Sequence, residues 1–449
     1  MVWMVVLFLS GYIVITLEHT VHINKAATAL LVGVLCWTVY GLQISDAELV
    51  SEQLAHHMSD IAGILFFLLG AMTIVEIIDL HDGFEVIVSR IKTQSSRKLL
   101  WIIALLAFCL SGVLDNLATT IVLISLLRKL VSDKQERMLY ACVVVIAANA
   151  GGAFTPIGDV TTTMLWIGGQ VTPANIIQKL FLPSLVCMLF PLLYLSRTSG
   201  KRITPSSTSG QEQELTTTPL ERKLVLGIGI SVLVMVPVFK LLTHLPPYMG
   251  ILLGLGFLWT VTELIHHRKD EAKKNQFSVL TALRKVDTST VLFFLGILLC
   301  IGALQSAGQL ALMANFLDDK VGNFYAINLL VGMLSSVVDN VPLVSAMMRM
   351  YTLEYPADHV FWELLAYCAG TGGSILIIGS AAGVATMGIE KIDFIWYVRR
   401  MSLLAFMGYI AGAITFAIQH EILTYGLSGL SLAKLSDQLS YVLQFISLL

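Results

Sequence analysis

Apolar residues run in blocks of roughly 17 to 25 along nearly the whole chain, with short polar stretches between them; a helix of that length crosses a hydrocarbon core of about 30 Å. Backbone polar groups within hydrocarbon must be satisfied inside the segment, so the spans are expected to be helices. The expected fold class is an all-α polytopic membrane protein. The first block, Val2 to Thr16, lacks a basic start and a small-residue cleavage site. It is expected to remain as the first span rather than to be removed.

The pattern repeats. Trp37-Thr38-Val39 returns as Trp259-Thr260-Val261, and Asp60 before Leu65-Phe66-Phe67-Leu68 returns as Asp287 before Leu292-Phe293-Phe294-Leu295. Asp115-Asn116 returns as Asp339-Asn340, 224 positions on, and Gly151-Gly152 with Gly158 returns as Gly372-Gly373 with Gly379, 221 positions on. Four ordered anchors at nearly constant offset predict two halves of one plan, residues 1–197 and 222–418. A polar linker over 198–221, rich in Ser, Thr, Gln and Glu, is expected between them on the cytoplasmic side, and a tail over 419–449 along the interface.

Lys and Arg set the expected orientation. The connection from Ser45 to Ser59 carries Asp46, Glu48 and Glu52 but no Lys or Arg, whereas the next holds Arg90, Lys92, Arg97 and Lys98. These two should face opposite sides. The segments flanking Asp115 are short, and both of their far ends are basic, with Arg97 and Lys98 on one and Arg128, Lys129, Lys134 and Arg137 on the other. A re-entrant hairpin with Asp115-Asn116 at its tip fits better than two full spans. Each half then has about five spans plus a re-entrant hairpin and a broken helix. That odd number inserts the second half upside down, the inverted-topology repeat of secondary transporters. The alternative is that every apolar piece spans, giving about twelve or more helices.

Composition narrows the class. With 56% hydrophobic and 13% charged residues and a mean hydropathy of +0.80, this is not an ordinary soluble chain. A net charge of -2 gives no reason to propose nucleic acid as a partner. Six cysteines are scattered through apolar blocks without Cys-x-x-Cys or metal-ligand spacing, so no zinc and no resident cofactor are expected. No Walker sequence, Gly-x-Ser-x-Gly or His-Glu-x-x-His occurs, so neither an ATP-driven pump nor an enzyme is expected.

An acid within the membrane is costly and reads first as functional. Asp115, Asn116, Asp339 and Asn340 form an oxygen-ligand set suited to a hard cation such as Na⁺ or Li⁺, and they are the expected Na⁺ ligands. Ser111, Thr119, Thr120, Ser335 and Ser336 could add hydroxyls. The alternative role for the tip acids is to cap backbone N–H groups. A second element, Asn149-Ala150-Gly151-Gly152-Ala153-Phe154-Thr155-Pro156-Ile157-Gly158-Asp159, holds four helix breakers and exposes Asp159 beside Thr161, Thr162 and Thr163. Its counterpart over 370–386 has Thr371, Ser374 and Ser380 but no acid. A carboxylate that is either protonated or bound to Na⁺ couples the two ions by competition. Glu76 is a further pathway candidate.

The Ser-x-x-x-Asp-Asn tips and the Asn-x-Gly-Gly-x-x-Thr-Pro-Ile-Gly-Asp-x-Thr-Thr break resemble those of NhaD-type sodium/proton antiporters, of the ion-transporter superfamily that includes arsenite and dicarboxylate carriers. The similarity extends over residues 1–418 or so. The resemblance implies scaffold helices, a re-entrant hairpin and a broken helix in each repeat, often in a homodimer with elevator-like motion. Its ion-site positions here would be Asp115, Asn116, Asn149, Asp159, Thr161 and Thr162, then Ser335, Asp339, Asn340 and Ser374. Thr155 and Thr119, like Glu76, are further candidates outside that set. The expected function is exchange of cytoplasmic Na⁺, and of Li⁺, for external protons in a bacterial inner membrane, with both termini on the periplasmic side. The alternative is a sodium-coupled dicarboxylate or arsenite-type carrier.

Overall fold

The structure, a computed structural model, describes residues 2–16, 18–91, 93, 95–198, 217–267, 275–351 and 354–425. Among these, every regular element is helical. The first half holds α1 (Val2–Thr16), α2 (Glu18–Val21), α3 (Lys25–Gln43), α4 (Ala47–Leu80), α5 (Glu85–Val88), α6 (Ser96–Ser111), α7 (Asn116–Leu130), α8 (Lys134–Ala153), α9 (Val160–Ile167) and α10 (Pro173–Thr198). The second holds α11 (Pro219–Thr243), α12 (Pro247–His266), α13 (Val279–Lys285), α14 (Thr288–Ser306), α15 (Gln309–Lys320), α16 (Phe324–Leu334), α17 (Asn340–Met350), α18 (Val360–Gly372) and α19 (Ala381–Glu390). It ends with α20 (Phe394–Tyr397), which passes through a π turn at Val398–Ser402 into α21 (Leu403–Tyr425). Seven of the described helices are long and apolar enough to cross a membrane. The chain is an all-α polytopic membrane protein.

One expectation is corrected. The acidic stretch Ser45 to Ser59 is not a loop, because α4 begins at Ala47 and runs for 34 residues. Asp46 caps it, accepting from the Glu48 and Leu49 amides at 3.1 and 3.0 Å, and Ala47 to Asp60 contains neither Gly nor Pro to stop it. Most of the expected linker, residues 199–216, and the tail from 426 onward lie outside the described residues. The last helix continues to Tyr425, past the boundary expected at Ile418.

The chain forms two compact units, and each draws on both sequence halves. The first comprises Met1–Leu80, Ser231–Gly322 and Val341–Glu354. Within it α3 packs on α14 and α4 on α12, so these packings join one half to the other. A Cβ at Gly33 would overlap the Gly296 carbonyl, and one at Gly296 would overlap the backbone at Ala29 and Leu30, so both crossing positions must be glycine. Trp37 Nε1 donates to the Leu299 carbonyl at 2.9 Å across the same seam. Leu31, Leu253, Phe257 and Leu264 remain exposed on these helices, as surfaces meant for lipid do. A polar knot also sits in this unit. Arg349 Nη1 bonds Gln305 Oε1 at 2.6 Å and His57 Nδ1 at 3.0 Å, while His57 Nε2 meets Ser306 Oγ at 3.1 Å. A guanidinium can only donate, so His57 here is the tautomer with Nδ1 bare.

The second unit comprises His81–Ile230, Asn323–Asn340 and Tyr355–Leu449. Here α6 and α7 form one short-helix pair, and α16 leads into the start of α17 in the same way. At 16 and 15 residues, α6 and α7 reach only about 24 and about 22 Å, short of a full crossing. Then α6 packs on α8 and α16 on α18, and the two packings share their details. Ser111 Oγ donates to the Ala148 carbonyl at 2.6 Å, and Ser335 Oγ to the Ala369 carbonyl at 2.8 Å. The same bond recurs at positions offset by 224 and 221 residues.

Where α19 ends, the buried Glu390 accepts from Arg128 Nε at 2.7 Å and Arg137 Nε at 2.8 Å. Arg128 also donates to the Ile389 carbonyl. The clasp ties α7 and α8 of the first half to α19 of the second. Glu390→Leu would leave two guanidinium groups without their shared acceptor, and we expect a loss of about 3 kcal/mol, the lower end for a broken buried pair because Arg128 is 51% exposed. Arg137→Leu should cost more than Arg128→Leu, since Arg137 is only 18% exposed. Thermal melting of the purified variants in detergent checks the ranking; equal melting temperatures would refute it.

Candidate functional site

The Gly-rich break ends α8 at Ala153 and restarts the chain at α9, with Asp159 in extended conformation as the N-cap. Asp159 is 2% exposed. Its Oδ1 accepts from the Thr161 amide at 2.9 Å and from Thr161 Oγ1 at 2.8 Å. Asn116, at the first residue of α7, donates Nδ2 to Asp159 Oδ2 at 3.2 Å and to Asn149 Oδ1 at 3.0 Å. Asn340, at the first residue of α17, donates Nδ2 toward both carboxylate oxygens at 3.4 Å. The tip amides of both halves thus converge on one buried acid.

Asn149 extends the network. Its Nδ2 donates to Ser374 Oγ and to Ser380 Oγ, each at 2.9 Å, and Ser380 in turn caps α19 by accepting from the Gly383 amide at 3.1 Å. Each hydrogen on Asn149 Nδ2 therefore has a hydroxyl acceptor, as a fully buried amide requires.

Asn116, Asn149, Asp159, Thr161, Asn340 and Ser374 thus share one hydrogen-bonded cluster. Other expected site residues are engaged differently. Asp115 is half-buried and caps α7, its Oδ1 accepting from the Ala118 amide at 2.6 Å. Asp339 is half-buried and stands immediately before α17. Thr155 Oγ1 donates to the Gly112 carbonyl at 2.7 Å and accepts from the Gly158 amide at 2.9 Å, so it braces the break. Thr162 Oγ1 reaches the Ala153 carbonyl at 3.3 Å, Ser335 holds α18, and Thr119 is buried on α7. Glu76 lies half-buried on α4, within the first unit. Among the described residues no group of three or more His, Cys, Asp or Glu could hold a metal ion.

The sequence profile described as citrate transporter matches residues 5–372. Sodium/proton antiporter 1 of Arabidopsis thaliana is 49% identical over 93% of this chain and 72% of its own length. Sodium/proton antiporter 2 of the same plant is 46% identical over 93% of this chain and 99% of its own. The Na(+)/H(+) antiporter NhaD of Vibrio cholerae is 31% identical over 91% and 89%, respectively. The chain belongs to the NhaD-type sodium/proton antiporter family. It is therefore a transporter rather than an enzyme.

In this antiporter-family chain, Ser380 is the cluster residue that sequence reasoning named but did not select for the site. The signal was present: Ser380 lies 221 positions after Asp159, the offset of the glycine anchors. Both are helix N-caps with nearly the same backbone, φ -142 and ψ 141 at Asp159 against φ -138 and ψ 152 at Ser380. One half places a carboxylate where the other places a hydroxyl. Likewise Gly370 stands 221 positions after Asn149, and a Cβ there would come within 3.6 Å of Asp159 Oδ2. Asp159 and Ser380 thus share a backbone conformation and differ in side chain.

Asn149→Ala removes three buried hydrogen bonds at about 1 kcal/mol each. We expect a melting temperature in detergent lower by several degrees, and loss of transport. A variant that melts and transports as the native protein does would show that Asn149 is not the link between the halves.

Proposed function

We propose that the protein exchanges Na⁺, and also Li⁺, for protons across an energised membrane, with the two ions competing for intramembrane carboxylates. The observation that supports this most is the convergence of Asn116 and Asn340 on Asp159. An isolated carboxylate is hard to keep ionised away from water, and four polar donors aimed at it are what such a charge needs. A half-turn about χ2 would bring either amide's carbonyl oxygen, in place of its nitrogen, toward a cation, so the same side chains suit the occupied and unoccupied carboxylate. A proton satisfies the acid in the alternative state. Asp115 and Asp339, next to the two amides in sequence, add negative charge near the tips. The names of the relatives point the same way.

We place the two tips on re-entrant hairpins of inverted repeats, residues 1–197 and 222–418. The short lengths of α6 and α7, the repeated serine bonds and the repeated glycine contacts all favour that arrangement. A carrier of citrate or of a dicarboxylate is the competing reading, because the family profile is described as a citrate transporter. A buried acid at the centre of the cluster repels such an anion, and among the described residues no Lys or Arg side chain bonds to the cluster, so the cation is favoured.

Everted vesicles loaded with a ΔpH-sensitive dye test the choice. Addition of Na⁺ or Li⁺ should collapse the proton gradient, with K⁺ as the control. A response to citrate or succinate, and none to any alkali cation, would replace the antiporter reading with the anion carrier.

A further inference from the structure

Helical threonines in this protein usually return their hydroxyl to the carbonyl one turn back. Thr73 bonds the Leu69 carbonyl at 2.6 Å, Thr371 the Tyr367 carbonyl at 2.6 Å, Thr386 the Ala382 carbonyl at 2.8 Å and Thr415 the Ala411 carbonyl at 2.8 Å. Thr119 and Thr120 do not. Both are 0% exposed, and neither hydroxyl has a hydrogen-bond partner. Two adjacent buried hydroxyls left orphaned in one helical turn run against the rule that such groups are paired.

Their position gives them a use. Thr119 and Thr120 follow Asn116 by three and four residues, so they stand on its face of α7, one turn from the amide that meets Asp159. Their helix packs against α8 and α19, the helices that carry Asn149 and are capped by Ser380. We propose that the Thr119 and Thr120 hydroxyls are ligands of the transported alkali cation, forming a subsite one helical turn along α7 from Asn116, the amide that meets Asp159. This rests on the antiport reading above. A hydroxyl oxygen is a hard donor suited to Na⁺ or Li⁺. While its lone pair faces the ion, its proton can turn to the carbonyl of Asp115 or Asn116, one turn back. Both halves of the hydroxyl are then satisfied, which the present arrangement does not achieve.

Thr119→Val with Thr120→Val keeps the shape and removes both oxygens. In proteoliposomes the half-saturating Na⁺ and Li⁺ concentrations should rise at least about tenfold, the effect of one weakened ligand contact. The melting temperature in Na⁺-free choline buffer should stay the same or rise, because two orphan polar groups are gone, while the increase on adding NaCl should disappear. The paired Thr→Ser variant should restore both Na⁺ readouts. Should the double valine variant not be obtained folded, the single valine variants are read the same way. Native half-saturation, or a lower melting temperature in choline buffer, overturns the assignment by showing a merely structural role. A wild type that exchanges Na⁺ beside an unaltered valine variant overturns this inference alone; a wild type that responds to no alkali cation overturns the antiport reading as well.

Discussion

Asp159→Asn is expected to lower Na⁺-driven proton exchange at least about a hundredfold while the protein still folds. The substitution is isosteric, and Asn is as good a helix cap as Asp, so α9 should keep its start. The amide carbonyl can take the Oδ1 position and hold both Thr161 contacts. Its nitrogen then lies where Oδ2 was, facing the donor nitrogens of Asn116 and Asn340. Asn340 can turn its carbonyl oxygen to that nitrogen by a half-turn about χ2, but Asn116 is also held by its bond to Asn149 Oδ1 and leaves a buried N–H facing a donor, at about 1–3 kcal/mol, and the site has also lost the charge proposed to bind a cation. A hundredfold needs only about 2.8 kcal/mol. The measurement is initial rate against Na⁺ concentration in vesicles, with size-exclusion profiles as the folding control. Near-native exchange by Asp159→Asn would move the essential charge to Asp115 or Asp339. Asp159→Ser, which copies the Ser380 side of the cluster, should be equally inactive but free of the donor clash.

Gly151→Ala and Gly372→Ala should each prevent assembly of the second unit. A Cβ at Gly151 would overlap the Phe108 carbonyl, and one at Gly372 would overlap the Gly332 carbonyl. In both cases the obstacle is backbone, which cannot rotate aside as a side chain can. The helix would have to back away from α6 or α16, pulling the Ser111–Ala148 or Ser335–Ala369 hydrogen bond apart and moving the tip amide off Asp159. Overpacking of this kind costs about 1–3 kcal/mol where side chains can yield, and more where they cannot, so we expect aggregated or poorly expressed protein. Gly256→Ala is the matched control. No atom lies within 4 Å of its Cβ position, and removing a helical glycine should stabilise by about 1 kcal/mol. If all three variants give the same monodisperse peak and melting temperature, close backbone approach is not what holds these helices.

The recurring glycine and Asp-Asn anchors are legible along the chain because they stand where the fold cannot exchange them. Glycine at 151, 158, 372 and 379 is required by backbone contact, and Asp-Asn recurs where a short helix begins. Hydropathy reveals the helical class, since hydrocarbon leaves a chain few other ways to satisfy its backbone. It misreads Ser45 to Ser59, because charge marks where water is and not where a helix stops. Asp46 and an unbroken run of helix formers carry α4 straight through the acidic stretch.

The sequence by itself determined that this is a helical membrane protein, with a few acids and amides too costly to be incidental, and it predicts two related halves. Hydrophobic length, charge bias and repeated glycines are local properties and can be read in order along a chain. Only the tertiary structure decided which acid stands at the centre. From sequence, the doubled Asp115 and Asp339 were the natural pair, yet both tip amides point at the unduplicated Asp159, and Asn149 ties it to Ser374 and Ser380. That choice depends on how the second half returns to the first, through hydrogen bonds between residues more than 180 positions apart. No periodicity encodes such a contact, because it is fixed by where α7, α9 and α17 begin.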